Sequence, residues 1–149
     1  MSVGEYCNRD VVILDKTAPV REAVNLMRSN HVGDVVVVEK QADMVIPLGI
    51  LTDRDIVVEI LAKNVDLDAV NVGDVMSYQL VTVTEEIRLL DAIKLMRING
   101  VRRLPVVNKQ AGLEGILSVD DLLELIVEQL TDIASLVSNE ITNEVKSRR

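Results

Sequence analysis

Aromatic residues are almost absent from this sequence of 149 residues, which contains Tyr6 and Tyr78 but no phenylalanine or tryptophan. A platform of side-chain rings, on which the bases of single-stranded nucleic acid stack, therefore cannot be built. The formal charge of −8 also repels phosphate backbones. Both observations argue against nucleic acid as a partner, and the lack of rings predicts a core of aliphatic side chains.

Cysteine and histidine occur once each, as Cys7 and His31. A single cysteine cannot form an internal disulfide, and no group of cysteine and histidine has the spacing of metal ligands. No stretch reaches the ~18 uninterrupted apolar residues of a membrane span, and the first residues lack the basic and apolar regions of a signal peptide. We therefore expect no metal site, no membrane span and a reducing, cytoplasmic location.

No arrangement of residues typical of an enzyme can be completed from this sequence. His31 has no candidate nucleophile at a recognisable spacing, and the phosphate loop Gly-x-x-x-x-Gly-Lys-Ser/Thr does not occur. Asp120 and Asp121 are adjacent, and adjacent residues on a helix point in different directions, so they form a poor pair for one metal ion. We expect a protein that is not an enzyme.

The chain contains two copies of one unit. Residues 3 to 42 align with residues 72 to 111 at an offset of 69, and 14 of these 40 positions are identical. After three extra residues in the first copy, Gly49 to Thr52 aligns with Gly115 to Ser118. We therefore predict repeat one at residues 3–71, repeat two at 72–137, and a tail at 138–149 that continues the last helix and frays towards its charged end.

Each copy predicts the order β-α-β-β-α. Apolar residues of the first helix recur at i, i+3, i+4 and i+7, as in Val20, Ala23, Val24 and Met27. The unbroken run Val35–Val38 is typical of a strand covered on both faces. A second helix closes each copy, at about 53–63 and 119–137. The fold class is therefore α/β (α+β), with two pseudo-symmetric repeats whose small sheets pack together and whose helices lie outside.

Four motifs resemble those of a CBS-domain pair, also called a Bateman module, and the resemblance covers residues 3 to about 137. They are GDVM (Gly73 to Met76), GVRRLPVV (Gly100 to Val107), GILTDRD (Gly49 to Asp55) and GILSVDD (Gly115 to Asp121). The resemblance implies a regulatory module that binds AMP, ADP, ATP or S-adenosylmethionine in clefts between its repeats. It also implies a homodimer that passes the state of its clefts to a separate effector protein.

The ligand signature of that family matches Thr52 with Asp55, and Ser118 with Asp121. An aspartate in the first turn of a helix can accept bonds from ribose hydroxyls, while the hydroxyl and the free amides of that helix end favour phosphate. The same spacing is also a variant of the capping box, in which both side chains only satisfy backbone amides. Spacing alone favours capping, whereas the placement after Gly-Ile-Leu in both copies favours a ligand.

Other ligand contacts rest on the same resemblance. Arg102 and Arg103 stand where the family commonly carries basic residues that contact phosphates, and arginine is a suitable planar donor. The alternative is a solvated pair that bonds nearby carboxylates. Copy one has Gly33 and Asp34 at the aligned positions, so we expect an anionic ligand to prefer copy two. The resemblance also implies clefts that face each other, in which case these arginines reach a phosphate bound mainly by the other repeat and the preference is shared. The resemblance also assigns ligand contacts to the segments after the first strand of each copy, near Ile13 and Thr82.

Two further expectations concern surfaces. The second helices carry more apolar residues than one buried face needs, from Ile56 to Leu61 and from Leu122 to Val127, which predicts that a second chain covers them. His31 aligns with Gly100 directly after a helix, which favours a helix-end residue over a catalyst. A constitutive scaffold with empty clefts and simple helix caps remains the alternative function.

Overall fold

A computed structural model describes residues 1–148 of the chain, which divide into two compact units, one from Met1 to Leu117 and one that begins at Ser118. Copy one contributes α1 (Val3–Tyr6), β1 (Ile13–Asp15), α2 (Val20–Asn30), β2 (Asp34–Gln41), β3 (Met44–Thr52) and α3 (Asp53–Asp55), which continues as a π-helix over Ile56–Leu61. Copy two contributes α4 (Val72–Val75), β4 (Val83–Thr84), α5 (Leu89–Asn99), β5 (Arg103–Val107), β6 (Leu113–Ser118) and α6 (Val119–Ser147).

Each copy forms a three-stranded sheet, with the orders β1-β2-β3 and β4-β5-β6. In both sheets the first and second strands are parallel, and β2 and β3 form an antiparallel hairpin. The central strand β2 is buried along Val35–Val38, as its unbroken valine run predicts. The predicted order β-α-β-β-α and the mixed α/β class are confirmed; the short helices α1 and α4 are additional.

The opening segment of each copy hydrogen-bonds to the other copy. The amides of Val3 and Gly4 donate to the carbonyls of Ile87 and Glu85 at 2.8 and 3.0 Å, and Asn8 pairs with Ile116. The equivalent segment of copy two does the reverse, since Val72 and Gly73 donate to Ala18 and Lys16 at 2.8 and 3.0 Å and Ser77 donates to Ile50. Val72 and Met76 accordingly belong to the apolar core of copy one. The two repeats are therefore interlocked.

Glycine permits this close approach at pseudo-equivalent positions. A Cβ atom on Gly49 would lie 2.4 Å from the carbonyl oxygen of Ser77, and one on Gly115 would lie 2.8 Å from that of Asn8. A Cβ atom on Gly73 would also lie 2.8 Å from a carbonyl oxygen, that of Lys16. The glycines of the GDVM and Gly-Ile-Leu motifs thus allow the opening segment of each copy to lie in close contact with the other copy.

The helix that follows each first strand ends in a left-handed residue. His31 has φ 54° at the end of α2, and Gly100 has φ 63° at the end of α5. This is the helix-end position that the alignment predicts for His31, and it is exposed. Glycine adopts such a φ without a steric penalty, whereas histidine does not.

The second helices differ between the copies. In copy one Ile56 and Ile60 are buried, while Val57, Val58 and Leu61 are exposed, so part of the apolar surplus belongs to the core. In the second unit α6 runs for 29 residues, up to Ser147. The predicted continuation of the last helix into the tail is therefore present, and it includes most of the charged stretch in which we expected fraying. Arg149 lies outside the described residues. None of the helices in residues 1–148 combines the length and the apolar character needed to cross a membrane.

Candidate functional site

The first unit contains a cavity of about 260 Å³ that both copies line. This volume is close to the lower end of the ~300–1,000 Å³ typical of small-molecule sites. Copy one contributes β3 and the start of α3 to the lining, and copy two contributes the segment before β4 and the start of β5. Its lining residues are Ile50, Thr52, Asp55, Ser77, Gln79, Leu80, Val81, Val101, Arg102 and Arg103.

Thr52 and Asp55 form a complete capping box at the start of α3. The Thr52 hydroxyl accepts the amide of Asp55 at 3.1 Å, and Oδ2 of Asp55 accepts the amide of Thr52 at 2.9 Å. The capping interpretation is thus confirmed as geometry. The capping box leaves one carboxylate oxygen available, because within residues 1–148 no hydrogen bond is donated to Oδ1 of Asp55. Both side chains are only half-buried, so the cavity can present Oδ1 to a ligand.

Arg102 and Arg103 line the same cavity as the Thr52–Asp55 motif of the other copy. The sequence reasoning had two outcomes for these arginines, a cleft of copy two or a phosphate bound mainly by the other repeat, and their place beside Thr52 and Asp55 corresponds to the second. Nε of Arg103 lies 2.8 Å from Oδ1 of Asp34, in an ion pair between the two copies. The alternative interpretation of these arginines was that they bond to nearby carboxylates. Arg103 does so, through its ion pair with Asp34.

Asp34 adjoins the cavity through the β2–β3 hairpin, in which it pairs with Thr52. Its side chain is only 16% exposed. Burial raises the pKa of the Asp34 carboxyl; the nearby Arg103 lowers this pKa, and the charge of Asp53 adds to the increase. Burial and the charge of Asp53 together therefore disfavour the carboxylate of Asp34 by more than Arg103 favours it.

The second Ser/Asp motif lies at the start of α6, in the second unit. The Ser118 hydroxyl accepts the amide of Asp121 at 3.1 Å, as the Thr52 hydroxyl does with Asp55. The capping bond of the hydroxyl is therefore common to both motifs. Ser118 and Asp121 are half-buried, and their role as ligand contacts remains a prediction.

Ile13 and Thr82 do not line the cavity. Ile13 is an exposed residue of β1, and Thr82 directly follows the lining residue Val81. Sequence reasoning missed six lining residues: Ile50, Ser77, Gln79, Leu80, Val81 and Val101. Ile50 could have been found, because it lies two positions before Thr52 on β3 and side chains alternate along a strand. Ser77 and residues 79–81 reach the cavity because the opening segment of copy two crosses to copy one, which the sequence pattern does not reveal.

No group of three or more histidine, cysteine, aspartate or glutamate side chains in residues 1–148 is placed to hold a metal ion. The cavity instead offers a carboxylate, a hydroxyl and two guanidinium groups beside aliphatic side chains. Such a set can bind a ligand that carries hydroxyl groups, a negative charge and an apolar surface.

The model of the CBS domain family matches this chain twice, at residues 3–62 and 72–128. The protein belongs to the CBS domain family and carries two such domains in tandem.

Individual relatives align with most of this chain. A protein of Methanopyrus kandleri is 36% identical over 125 residues, which are 84% of this chain, and the match spans 62% of that relative's length. The structure of a CBS domain protein of Pyrobaculum aerophilum complexed with AMP is 29% identical, with a TM-score of 0.73, and the match covers 85% of this chain and 99% of that one. A hexameric CBS-CP12 protein from bloom-forming cyanobacteria is 28% identical, with a TM-score of 0.72, over 83% of this chain and 66% of that one.

Proposed function

We propose that this chain is a regulatory module that binds an adenosine-containing ligand, of the class of AMP, ADP, ATP or S-adenosylmethionine, in the cavity described above. The observation that carries the proposal is the placement of Asp55 from one repeat and Arg102 and Arg103 from the other around one cavity. The AMP complex of the Pyrobaculum protein supports this ligand class. A catalytic role is not part of the proposal, because no nucleophile and base can be paired in the sequence.

Each part of such a ligand has a chemically suitable partner in the lining. Oδ1 of Asp55 accepts a ribose hydroxyl, and the guanidinium groups donate to a phosphate. The adenine lies against Ile50, Leu80, Val81 and Val101, since aliphatic side chains supply its apolar contacts in a chain without aromatic rings at the site. Backbone groups read its edge.

Ligand binding influences the repeats because the lining comes from both of them. A ligand that contacts Asp55 and Arg102 together is bound more tightly in one relative packing of the repeats than in another. The resulting shift is passed to a separate effector protein in the cytoplasm, which is the location that the composition favours.

A thermal-shift screen tests the ligand class. The chain is heated with adenosine, AMP, ADP, ATP and S-adenosylmethionine, each at a high concentration. A ligand at about 100 times its Kd adds ~2.7 kcal/mol of stability, which for a chain of this size raises Tm by roughly 5–10 °C. Guanosine and GMP are the controls. No shift with any adenosine compound would contradict the proposal and favour the alternative, a constitutive scaffold with an empty cavity.

We also propose that a second copy of the chain covers the exposed apolar side chains of the second helices. On α6 these recur every three or four residues, which places them along one face of the helix. They are Leu123, Ile126, Val127, Leu130, Ile133, Leu136, Val137, Ile141 and Val145. The hexameric cyanobacterial relative supports an oligomer.

Light scattering tests the dimer. The expected mass is twice the 16.5 kDa of one chain. Leu130→Glu should reduce the mass to that of one chain, because it puts a charge on the apolar face, whereas Ser135→Glu on the polar face should not. A mass of one chain for the unaltered protein at micromolar concentration would contradict the dimer.

A further inference from the structure

The ion pair of Asp34 and Arg103 occupies one of the two guanidinium groups that line the cavity. Arg103 is 25% exposed and Asp34 is 16% exposed, so water screens the pair less than it screens an ion pair on the surface. An anionic ligand that reaches Arg103 must share this group with a carboxylate that already holds it.

The carboxylate of Asp34 also lies beside the cavity, because Asp34 pairs with the lining residue Thr52 across the hairpin and forms an ion pair with the lining residue Arg103. A carboxylate at this place repels a ligand phosphate that approaches Arg103. The repulsion grows with the number of phosphates.

We propose that Asp34 limits the negative charge of the ligand that this cavity accepts, so that adenosine compounds with one phosphate or none are favoured over the diphosphate and triphosphate. This inference rests on the proposed function, since it concerns the same cavity. It assigns Asp34 as a specificity-determining residue that acts partly through Arg103. The aligned position of copy two carries Arg103 itself, so the two repeats contribute opposite charges to this point.

Calorimetry on Asp34→Asn tests the proposal, with adenosine, AMP and ATP as ligands. The amide keeps the size of the side chain but removes its charge. We expect the affinity for AMP relative to adenosine to rise about tenfold, and that of ATP to rise further. Both increases should shrink as salt is added. Asp53→Asn is the matched control, because Asp53 carries the same charge close by but is not paired with Arg103, and its effect should be smaller.

Inorganic pyrophosphate separates this proposal from the proposed function. If neither protein binds any adenosine compound, the proposed function fails, but Asp34→Asn must still bind pyrophosphate more tightly than the unaltered chain. Equal pyrophosphate affinity, including no measurable binding to either protein, overturns the role of Asp34. Equal ratios of AMP to adenosine affinity in the two proteins overturn it as well. Asp34→Ser provides a second neutral variant if the asparagine variant does not fold, as checked by circular dichroism.

Discussion

Replacing Asp55 with asparagine separates helix capping from ligand binding. In the structure Oδ2 of Asp55 accepts the amide of Thr52 at 2.9 Å, and the asparagine carbonyl can keep this bond. The amide of residue 55 still donates to the Thr52 hydroxyl, because that bond does not involve the side chain of residue 55. Only the charge near the helix start is lost, so we expect stability to fall by no more than ~1 kcal/mol.

The affinity for an adenosine compound should fall further. In asparagine an NH2 group, which is a donor, replaces one carboxylate oxygen. If the remaining oxygen keeps the capping bond, the ribose hydroxyl that we assign to Oδ1 of Asp55 loses its charged acceptor. A hydrogen bond to a charged group contributes about 1.5–3 kcal/mol, which corresponds to a loss of roughly 10- to 150-fold in affinity. Urea denaturation measures the first quantity, and calorimetry with adenosine measures the second.

Asp121→Asn is a control for the loss of charge at the start of a helix, because Asp121 has the same place after Ser118 but, within residues 1–148, does not form the second capping bond that Asp55 forms with Thr52. It shows how much the same change costs at the other motif. If Asp55→Asn reduces stability by several kcal/mol while adenosine affinity is unchanged, the reasoning is refuted and Asp55 is only a cap.

Three further predictions concern stability. His31→Gly should raise the free energy of unfolding by roughly 0.5–1 kcal/mol, because it relieves φ 54°, and Gly100→Ala should lower it by a similar amount; opposite signs in urea denaturation would contradict this. Gly49→Ala should cost about 1–3 kcal/mol, since its Cβ would lie 2.4 Å from the Ser77 carbonyl oxygen, and a cost no greater than that of Gly100→Ala would refute the close crossing. Because the pKa of Asp34 is raised in the folded chain, protonation of its carboxyl stabilises the fold. This contribution is fully present below the usual aspartate pKa of ~3.9 and is lost as the pH rises through the pKa of Asp34 in the folded chain. The stability of the unaltered chain relative to Asp34→Asn should therefore fall from pH 3.5 to 6.5, and a rise would contradict the shift.

The sequence pattern predicts most elements of the fold, because local periodicity determines them. The apolar spacing that begins at Val20 and the valine run Val35–Val38 correspond to α2 and β2 in the structure. The crossing of the opening segments is a long-range arrangement. In the sequence its only trace is glycine at pseudo-equivalent positions such as Gly49 and Gly115, and glycine has many other uses.

The candidate site was predictable only in part, for a related reason. The resemblance indicated Thr52, Asp55, Arg102 and Arg103, but the sequence did not show that they surround one cavity. Asp34 and Arg103 occupy aligned positions of the two repeats, and the structure joins them. Opposite charges at aligned positions of a tandem repeat are a signal that could have indicated this pair, because interlocked repeats can bring such positions together.

The most direct test of the proposed phosphate contact compares AMP with adenosine in Arg103→Glu. Calorimetry at low and high salt gives both affinities for the variant and for the unaltered chain. We expect AMP to lose much more affinity than adenosine, and the difference to shrink as salt screens the charges. An equal loss for both ligands at both salt concentrations would contradict the assignment, because a phosphate contact cannot affect a ligand that has no phosphate.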